Sequence, residues 1–442
     1  MASAGRRRVA ATLLLCLTLH PLPSAAGLGW SGPRAAPRRQ LTITGNKAVR
    51  YPRRSVRVTD LHTGWAFGGG WPVPGDTLYN FYAFAAWVDT VNVMAQDPIG
   101  VDVAFLGSDW ATDIFENAGD LIMIGAQKES VFTATLSRLT PPVWADLGNH
   151  DYSPADTLPP LQRSPAQTST ERFAALFRGN RWYSAESPCV EYFSTQNSAE
   201  VERLSHGVSR DYSVNNPTTY DPPPGGRRGY DYDGIDSVGS PQRLALRHAL
   251  ATRDPGKWFV LGGNRAICGS NAAISARQNM TSAMRGAGYI NEVCDSLVAA
   301  NGERGINLDE DEHLTYVTEA FRDSHLCVPG EAGMYFMNCN SGSGQRSGDT
   351  TSVVPAGERQ FKSYYFQNIA RTSEGVVDTM TTAGDPDKPY AWTWQELLFR
   401  GNTCEVRTFR IFTRRTHANA QYPGHLVSKL IDRQYLYRRT GS

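Results

Sequence analysis

In the first third of the chain, hydrophobic and polar positions form short runs of strand length, and a segment with helical spacing separates the first two. Apolar or alternating runs of strand length occupy residues 56–60, 101–106 and 142–147. Between the first two runs, residues 79–94 carry apolar side chains at helical spacing, which predicts an amphipathic helix. Strand, helix and strand in this order are typical of βαβ units, whose parallel strands are followed by loops that collect polar chemistry.

The later part of the chain predicts further elements of both kinds. Residues 241–252 have the spacing of a helix, and residues 257–261 form an apolar run that predicts a strand. Residues 396–399 and 405–411 have strand-like composition and are separated by a turn signal at 400–402. This arrangement predicts a β-hairpin.

The chain begins with the features of a secretory signal peptide. Residues 1–26 contain three arginines at 6–8, an apolar stretch at 9–19 and small residues before Gly27. The apolar stretch is too short to cross a bilayer of about 30 Å, and no later segment approaches 18 consecutive apolar residues. We therefore expect a secreted or lumenal protein without a membrane anchor.

The chain of 442 residues divides into three segments after this leader. A Pro/Arg-rich lead-in covers residues 27–54, and one large domain covers residues 55–415. Within that domain, residues 205–233 are rich in Asn, Pro and Gly and predict an inserted surface loop. The C-terminal tail, residues 416–442, is expected to end in a frayed surface helix at 435–439.

The net charge of the chain argues against some classes of partner. The chain has 44 Lys and Arg against 43 Asp and Glu, and the leader holds three of the arginines. A nearly neutral chain offers no general attraction for nucleic acid or an anionic membrane, so neither is an expected partner.

Loss of Cys16 with the leader leaves six cysteines, which favours disulfides in an oxidising compartment but leaves the pairing open.

Polar residues follow all three predicted strands of the first third. Asp60 and His62 follow the first strand, Asp109 follows the second, and Gly148-Asn149-His150-Asp151 follows the third. Parallel strands end at one sheet edge, so these oxygen and imidazole donors would meet there and suit a divalent metal. The alternative is a polar turn in which the last motif caps a helix.

These motifs resemble those of the calcineurin-like metallophosphoesterases, and among them the small purple (tartrate-resistant) acid phosphatases. The resemblance covers approximately residues 55–415. It implies an α/β (α+β) fold, a two-sheet β-sandwich of mixed strands flanked by helices, with the active-site loops at one sheet edge. Further segments similar to the family are Arg181-Trp182-Tyr183, residues 190–193, Asp233-Gly234-Ile235-Asp236-Ser237 and Gly342-Ser343-Gly344.

The resemblance also implies roles for individual residues. Asp60 would bind the first metal and Asn149 the second, while His150 would bind phosphoryl oxygens or protonate the leaving group as a catalytic residue. His62 matches the superfamily's Asp-x-His pattern and is either a metal ligand or a loop histidine. In an intact site a pair of Fe, Zn or Mn ions holds a hydroxide that attacks the phosphorus of a phosphate ester.

Several positions depart from the family pattern. Ser108 replaces the aspartate that bridges both metals, and Asp109 would substitute for it only after a shift of one residue. Gly263 replaces a metal-binding histidine, and Glu310 and Glu312 stand where two more histidines are expected. The two glutamates are either hard oxygen ligands for Ca²⁺ or Mg²⁺, or part of a solvated acidic turn at 309–312.

Three hypotheses follow from these departures. The first, which the lost ligands favour, is a secreted acid-phosphatase-like protein with impaired or lost activity that binds a protein partner and holds no metal. The second is an active metal-dependent acid phosphatase that hydrolyses phosphate monoesters at a reorganised site. The third is a binding module unrelated to phosphatases, in which the Gly-Asn-His-Asp motif is coincidental.

Overall fold

The computed structural model describes sixteen stretches of the chain. They are residues 51–59, 61, 79–108, 132–146, 182–195, 235, 239–265, 289–299, 303–310, 315–322, 325–339, 361–365, 369–372, 375–379, 390–413 and 427–439. All of them belong to one compact unit, Ile43–Ser442. The expected signal peptide and the expected inserted loop lie outside the described residues.

Strands predominate over helices in the described residues. In chain order the elements are β1 (Arg53–Val58), α1 (Tyr79–Ala95), β2 (Val103–Leu106), β3 (Val143–Ala145), β4 (Tyr183–Glu186), β5 (Val190–Thr195), α2 (Pro241–Thr252), β6 (Trp258–Arg265), α3 (Tyr289–Ala299), β7 (Arg304–Glu310), β8 (Thr315–Arg322), β9 (His325–Leu326), β10 (Gly333–Asn338), β11 (Phe361–Tyr365), β12 (Ile369–Thr372), β13 (Gly375–Thr379), β14 (Tyr390–Arg400), β15 (Thr403–Thr413) and β16 (Val427–Tyr437).

The strands form two mixed sheets. Sheet A has the order β16-β15-β14-β1-β2-β3, in which β1, β2 and β3 are parallel and the other neighbours are antiparallel. Sheet B has the order β13-β12-β11-β8-β10-β7-β6-β5-β4, in which β5, β6, β7 and β10 run parallel. The prediction of an α/β protein with two mixed sheets and flanking helices is confirmed.

Side-chain alternation along the strands divides the apolar residues into layers. In β2, Val103 and Phe105 point into the core shared with sheet B, whereas Ala104 and Leu106 pack on the side of α1. Helix α1 contributes Phe84, Trp87 and further buried residues to that outer layer. On the far side of sheet B, α2 and α3 pack over a separate apolar cluster. The order is therefore helix, sheet A, sheet B, helices.

The two helices that the spacing of apolar residues predicts are present at the expected positions. Helix α1 extends one residue beyond the predicted range, and α2 has the predicted bounds. Ser240 caps α2, because its side chain accepts a hydrogen bond from the Arg243 amide at 3.1 Å. Pro241 occupies the first helical position, where a missing amide hydrogen costs nothing. No described helix is long and apolar enough to cross a bilayer.

One predicted strand is confirmed but extends further than expected, and one predicted helix was wrong. The strand predicted at 257–261 continues to Arg265 as β6, because pairing with β5 and β7 on both sides outweighs the turn tendency of its glycines. Instead of a frayed helix at 435–439, residues up to Tyr437 form β16, which pairs with β15 over almost its whole length. Alternating burial of Asp432, Gln434 and Leu436 gives this strand an inward face. The hairpin of β14 and β15 is confirmed.

Candidate functional site at the carboxyl ends of the parallel strands

The carboxyl ends of β1, β2 and β3 lie side by side in sheet A. Val58 of β1 is paired with Leu106 of β2, and Leu106 is paired with Ala145 of β3. The predicted site residues follow these three strand ends in the sequence. All five of them, Asp60, His62, Asp109, Asn149 and His150, lie outside the described residues, so their convergence and their roles remain predictions.

Asp146, which directly follows β3, connects sheet A to sheet B at this edge. Its carboxylate accepts hydrogen bonds from the hydroxyl groups of Tyr192 and Ser194, both on β5. All three side chains are buried. Hydrogen bonds to a charged group are stronger than those between neutral groups, so this contact holds the end of β3 against sheet B.

Gly262 allows the close approach of the groups around Asp146. A Cβ atom at this position of β6 would overlap the Tyr192 hydroxyl and would lie 2.7 Å from Oδ2 of Asp146. The Gly262 carbonyl also accepts a hydrogen bond from the Thr195 hydroxyl at 2.7 Å. Glycine is required here because any larger side chain would separate the tyrosine from the carboxylate.

Arg57 makes a second connection between the sheets. From β1 it donates to the carbonyl of Met337 at 3.1 Å and to the carbonyl of Asp309, while its side chain is fully buried. Gln395 of β14 adds a bond from Nε2 to the Asn338 carbonyl at 3.2 Å. The ends of β7 and β10 are therefore fixed to sheet A by groups from two of its strands.

The positions of three family ligands fall within described residues. Ser108 follows β2 and is fully buried. Gly263 lies inside β6, between Thr195 of β5 and Asp309 of β7, where the family places a histidine-bearing loop. Glu310 is the last residue of β7. Neither a neutral hydroxyl nor a glycine supplies the carboxylate or imidazole that the family's metal pair needs at these places, so the described residues do not fit that pair.

The acidic segment at 309–312 differs from the solvated turn that was expected. Asp309 lies within β7 and is fully buried. Its carboxylate accepts a hydrogen bond from Asn307 at 2.5 Å and another from the Tyr316 hydroxyl at 2.8 Å. The turn interpretation is therefore wrong for Asp309, because pairing of β7 with β6 and β10 extends through it. Glu312 lies outside the described residues.

Sequence reasoning missed the groups that join the two sheets. Arg57 stands between two valines of a buried strand, and Asp146 ends an apolar run, so a charged residue inside an apolar pattern was the available signal. Tyr192 carried no such signal, since a tyrosine is ordinary in a strand. Within the described ranges, no group of three His, Cys, Asp or Glu side chains is arranged to hold a metal ion.

Comparisons with known proteins give similarities of structure but none of sequence. No family model matches the chain, and no curated protein matches its sequence. A solved structure of PhoD matches with a TM-score of 0.49 and 9% sequence identity, over 89% of this chain and 71% of that chain.

Proposed function

We propose that this chain is a secreted protein similar to the purple acid phosphatases, in which phosphatase activity is impaired or lost and binding of a protein partner is the retained role. The architecture supports the family assignment. Two mixed sheets pack face to face with helices outside them, and the parallel strand β3 ends three residues before the Gly-Asn-His-Asp segment in the sequence. This is the arrangement that the resemblance in the sequence implies.

Gly263 carries the proposal of impaired chemistry. The family needs an imidazole in a loop at this position, but here the backbone continues as β6 to Arg265. Gly263 is paired with Thr195 on one side and with Asp309 on the other. Because both neighbouring strands pair with it, position 263 belongs to a strand and not to a loop that carries a histidine.

Ser108 supports the same conclusion from sheet A. Substitution by Asp109 would require a shift of one residue just after β2. The Gly107 amide donates to the Val58 carbonyl at 2.7 Å, and the Asp146 amide donates to the Leu106 carbonyl at 3.0 Å. These bonds fix both neighbours of β2 relative to its end, so a shift would break regular pairing. Ser108 itself supplies no carboxylate at the bridging position, so two adjacent metal charges there would lack their shared anion.

The test measures metal content and phosphatase turnover of the purified secreted chain. We expect little bound Fe, Zn or Mn and no hydrolysis of a chromogenic phosphate monoester above background at any pH from acidic to alkaline. Stoichiometric metal, together with turnover that Asn149→Ala and His150→Ala abolish, would instead establish the active phosphatase. His248→Ala on α2 is the matched control, because its side chain lies on a helix remote in sequence from the motif.

A further inference from the structure

The outer face of sheet A changes character along β14. Trp392 and Trp394 on this face pack into the apolar layer that α1 covers. Farther along the strand, Arg400 is on the same face, because side chains an even number of residues apart point the same way. Arg400 is paired with Thr403 of β15, and Thr403 is paired with Tyr437 of β16. Directly opposite residues share a face, so Tyr437 is also on the outer side.

Arginine and tyrosine side chains occupy this second part of the outer face. We call Arg400, Arg407, Arg433, Tyr435 and Tyr437 the Arg/Tyr surface. The side chains of Arg400 and Arg433 are each 48% exposed. Tyr435 and Tyr437 are 42% and 45% exposed. The surface therefore faces solvent, unlike the part of the sheet under α1.

The carboxylates among these arginines lie beneath them. Oε1 of Glu405 is 2.6 Å from Nε of Arg407 and 3.0 Å from Nε of Arg433. Oε2 of Glu405 is 3.6 Å from a terminal nitrogen of Arg400. Glu396 is 3.3 Å from Arg407, and the side chains of Glu405 and Glu396 are 5% and 2% exposed. A molecule that approaches this face meets guanidinium groups and tyrosine rings rather than carboxylates.

Two of the arginines are directly opposite each other, Arg407 on β15 and Arg433 on β16. Like charges at opposite positions destabilise an antiparallel pair, and Glu405 has to offset both. Within the described part of the chain, Glu405 is the only carboxylate paired with Arg433, and it binds Nε. The terminal nitrogens of Arg433 keep the fork geometry that binds a carboxylate. Residues that break a local rule of pairing in this way are expected at functional sites.

The geometry points to the Arg/Tyr surface as the binding site for an acidic segment of a partner protein. Carboxylates of the segment pair with Arg400 and Arg433, and its apolar side chains pack on the two tyrosine rings. Arginine and tyrosine are enriched among the residues that contribute most to binding at protein interfaces. A second copy of this chain would present the same cations and be repelled. The inference rests on the partner-binding role in the proposed function and names the chemistry of the partner.

Fluorescence anisotropy with the purified full-length chain tests the proposal. The probe is a labelled extended peptide with glutamate, leucine and glutamate at alternate positions, and the control peptide has glutamine in place of each glutamate. We expect the acidic peptide to bind at low ionic strength and its affinity to fall as NaCl is added, because the ion pairs are partly exposed. No binding of the acidic peptide at about 1 mM, or equal affinity for the two peptides, refutes the proposal.

Arg400→Gln combined with Arg433→Gln removes two half-exposed cations of the surface. We expect this double variant to bind the acidic peptide at least about tenfold more weakly. Arg138→Gln combined with Arg247→Gln is the matched control, since these two arginines are 47% and 40% exposed and are also paired with carboxylates. Equal losses in the two double variants would show a general effect of net charge and overturn the proposal.

Tyr435→Ala covers the case in which the double variant fails to fold. We expect it to weaken binding of the acidic peptide by at least about tenfold through loss of the ring. Leu244→Ala is the control, because Leu244 is a 54% exposed apolar residue on α2. Urea midpoints establish that both variants are folded. A Tyr435→Ala variant that binds the peptide as well as the unaltered chain does contradicts the assigned surface.

Other anions are compared with the peptide at the same ionic strength. Tighter binding of a single-stranded DNA oligonucleotide, or of vesicles that contain phosphatidylserine, through Arg400 and Arg433 would overturn the proposal. Failure of this inference is distinct from failure of the proposed function. Phosphatase turnover refutes impaired activity and leaves the surface intact, whereas peptide binding that every variant retains refutes the surface alone.

Discussion

The hydroxyl of Tyr192 donates a hydrogen bond to Oδ2 of Asp146, and this contact joins sheet B to sheet A where the parallel strands of both sheets end. Ser194 donates to the other carboxylate oxygen, so one buried anion receives two hydroxyl groups from a neighbouring sheet. Asp146 is the last described residue after β3, and it precedes the Gly-Asn-His-Asp segment by two positions in the sequence. The end of β3 is therefore fixed to sheet B by a contact between the sheets.

Tyr192→Phe removes one of the two bonds while keeping the ring in place. We expect the free energy of unfolding to fall by roughly 1.5–3 kcal/mol, because the lost bond is to a buried charged group. Urea denaturation measures the change. Tyr435→Phe is the control, since Tyr435 is 42% exposed on β16 and should change stability little. Equal effects of the two substitutions would contradict the importance assigned to the Asp146 contact.

Gly262→Ala tests the close packing around the same carboxylate. The added methyl group overlaps the Tyr192 hydroxyl, and we expect a loss of about 1–3 kcal/mol of unfolding free energy from overpacking. Gly239→Ala meets no atom within 4 Å and serves as the control.

The combination of Gly262→Ala with Tyr192→Phe gives a double-mutant cycle. Removal of the hydroxyl oxygen relieves part of the overlap. The loss of unfolding free energy in the double variant should therefore be smaller than the sum of the losses in the two single variants. Strict additivity would show that the methyl group clashes with something other than the hydroxyl.

Glu396→Gln breaks a buried ion pair on the side of sheet A that faces α1. Nε of Arg54 lies 2.6 Å from Oε1 of Glu396, and the two side chains are 8% and 2% exposed. Glu396→Gln removes a charge that Arg54 and Arg407 share, but Arg54 keeps Asp97 and Arg407 keeps Glu405, so we expect a loss of roughly 1.5–3 kcal/mol in urea unfolding. Asp89→Asn breaks the exposed pair with Arg138 and should cost at most about 1 kcal/mol.

Glu292 predicts a specific loss of stability in acid. Burial alone would raise the pKa of Glu292, but hydrogen bonds from Arg247 and Arg243 outweigh it and lower the pKa from 4.5 to about 2. A depressed pKa in the folded chain stabilises it above the ordinary value, and this stabilisation disappears as pH falls toward 2. Unfolding free energies measured from neutral pH down to pH 2 should therefore converge for the unaltered chain and Glu292→Gln. Glu186→Gln, which breaks the pair of an exposed carboxylate with Lys257, should cost at most about 1 kcal/mol at neutral pH.

Local signals account for most of the elements that the sequence predicts correctly. Helix α2 begins after its N-cap, Ser240, with Pro241 in the first helical position. The effects of both residues depend on the adjacent backbone alone. The strand predicted from the sequence ends at residue 261, before Gly262 and Gly263, which favour turns locally. In the structure, pairing with β5 and β7 continues the strand through both glycines. The prediction of a frayed helix at 435–439 was wrong for the same reason, because pairing with β15 decides the conformation of residues up to Tyr437.

The candidate site likewise includes residues that the sequence points to and residues that it does not. The Gly-Asn-His-Asp motif is contiguous, so the sequence alone identifies it, together with the polar residues after the first two strands. The roles of Arg57 and Asp146 depend on groups in the other sheet, as does the requirement for glycine at 262. No local pattern contains that information. A charged residue within an apolar run marks such positions, but it does not identify the partner.

The pairing of β1 with β14 has a consequence for synthesis of the chain. Arg54 and Glu396, which join these strands, are 342 residues apart. While the ribosome is still making the middle of the protein, β1, β2 and β3 have no antiparallel partner and one side of β1 carries unsatisfied amide and carbonyl groups. Such an edge recruits strands from other chains. Newly made protein should therefore depend on chaperones until the last strands emerge, even though β14 covers this edge of β1 in the finished sheet.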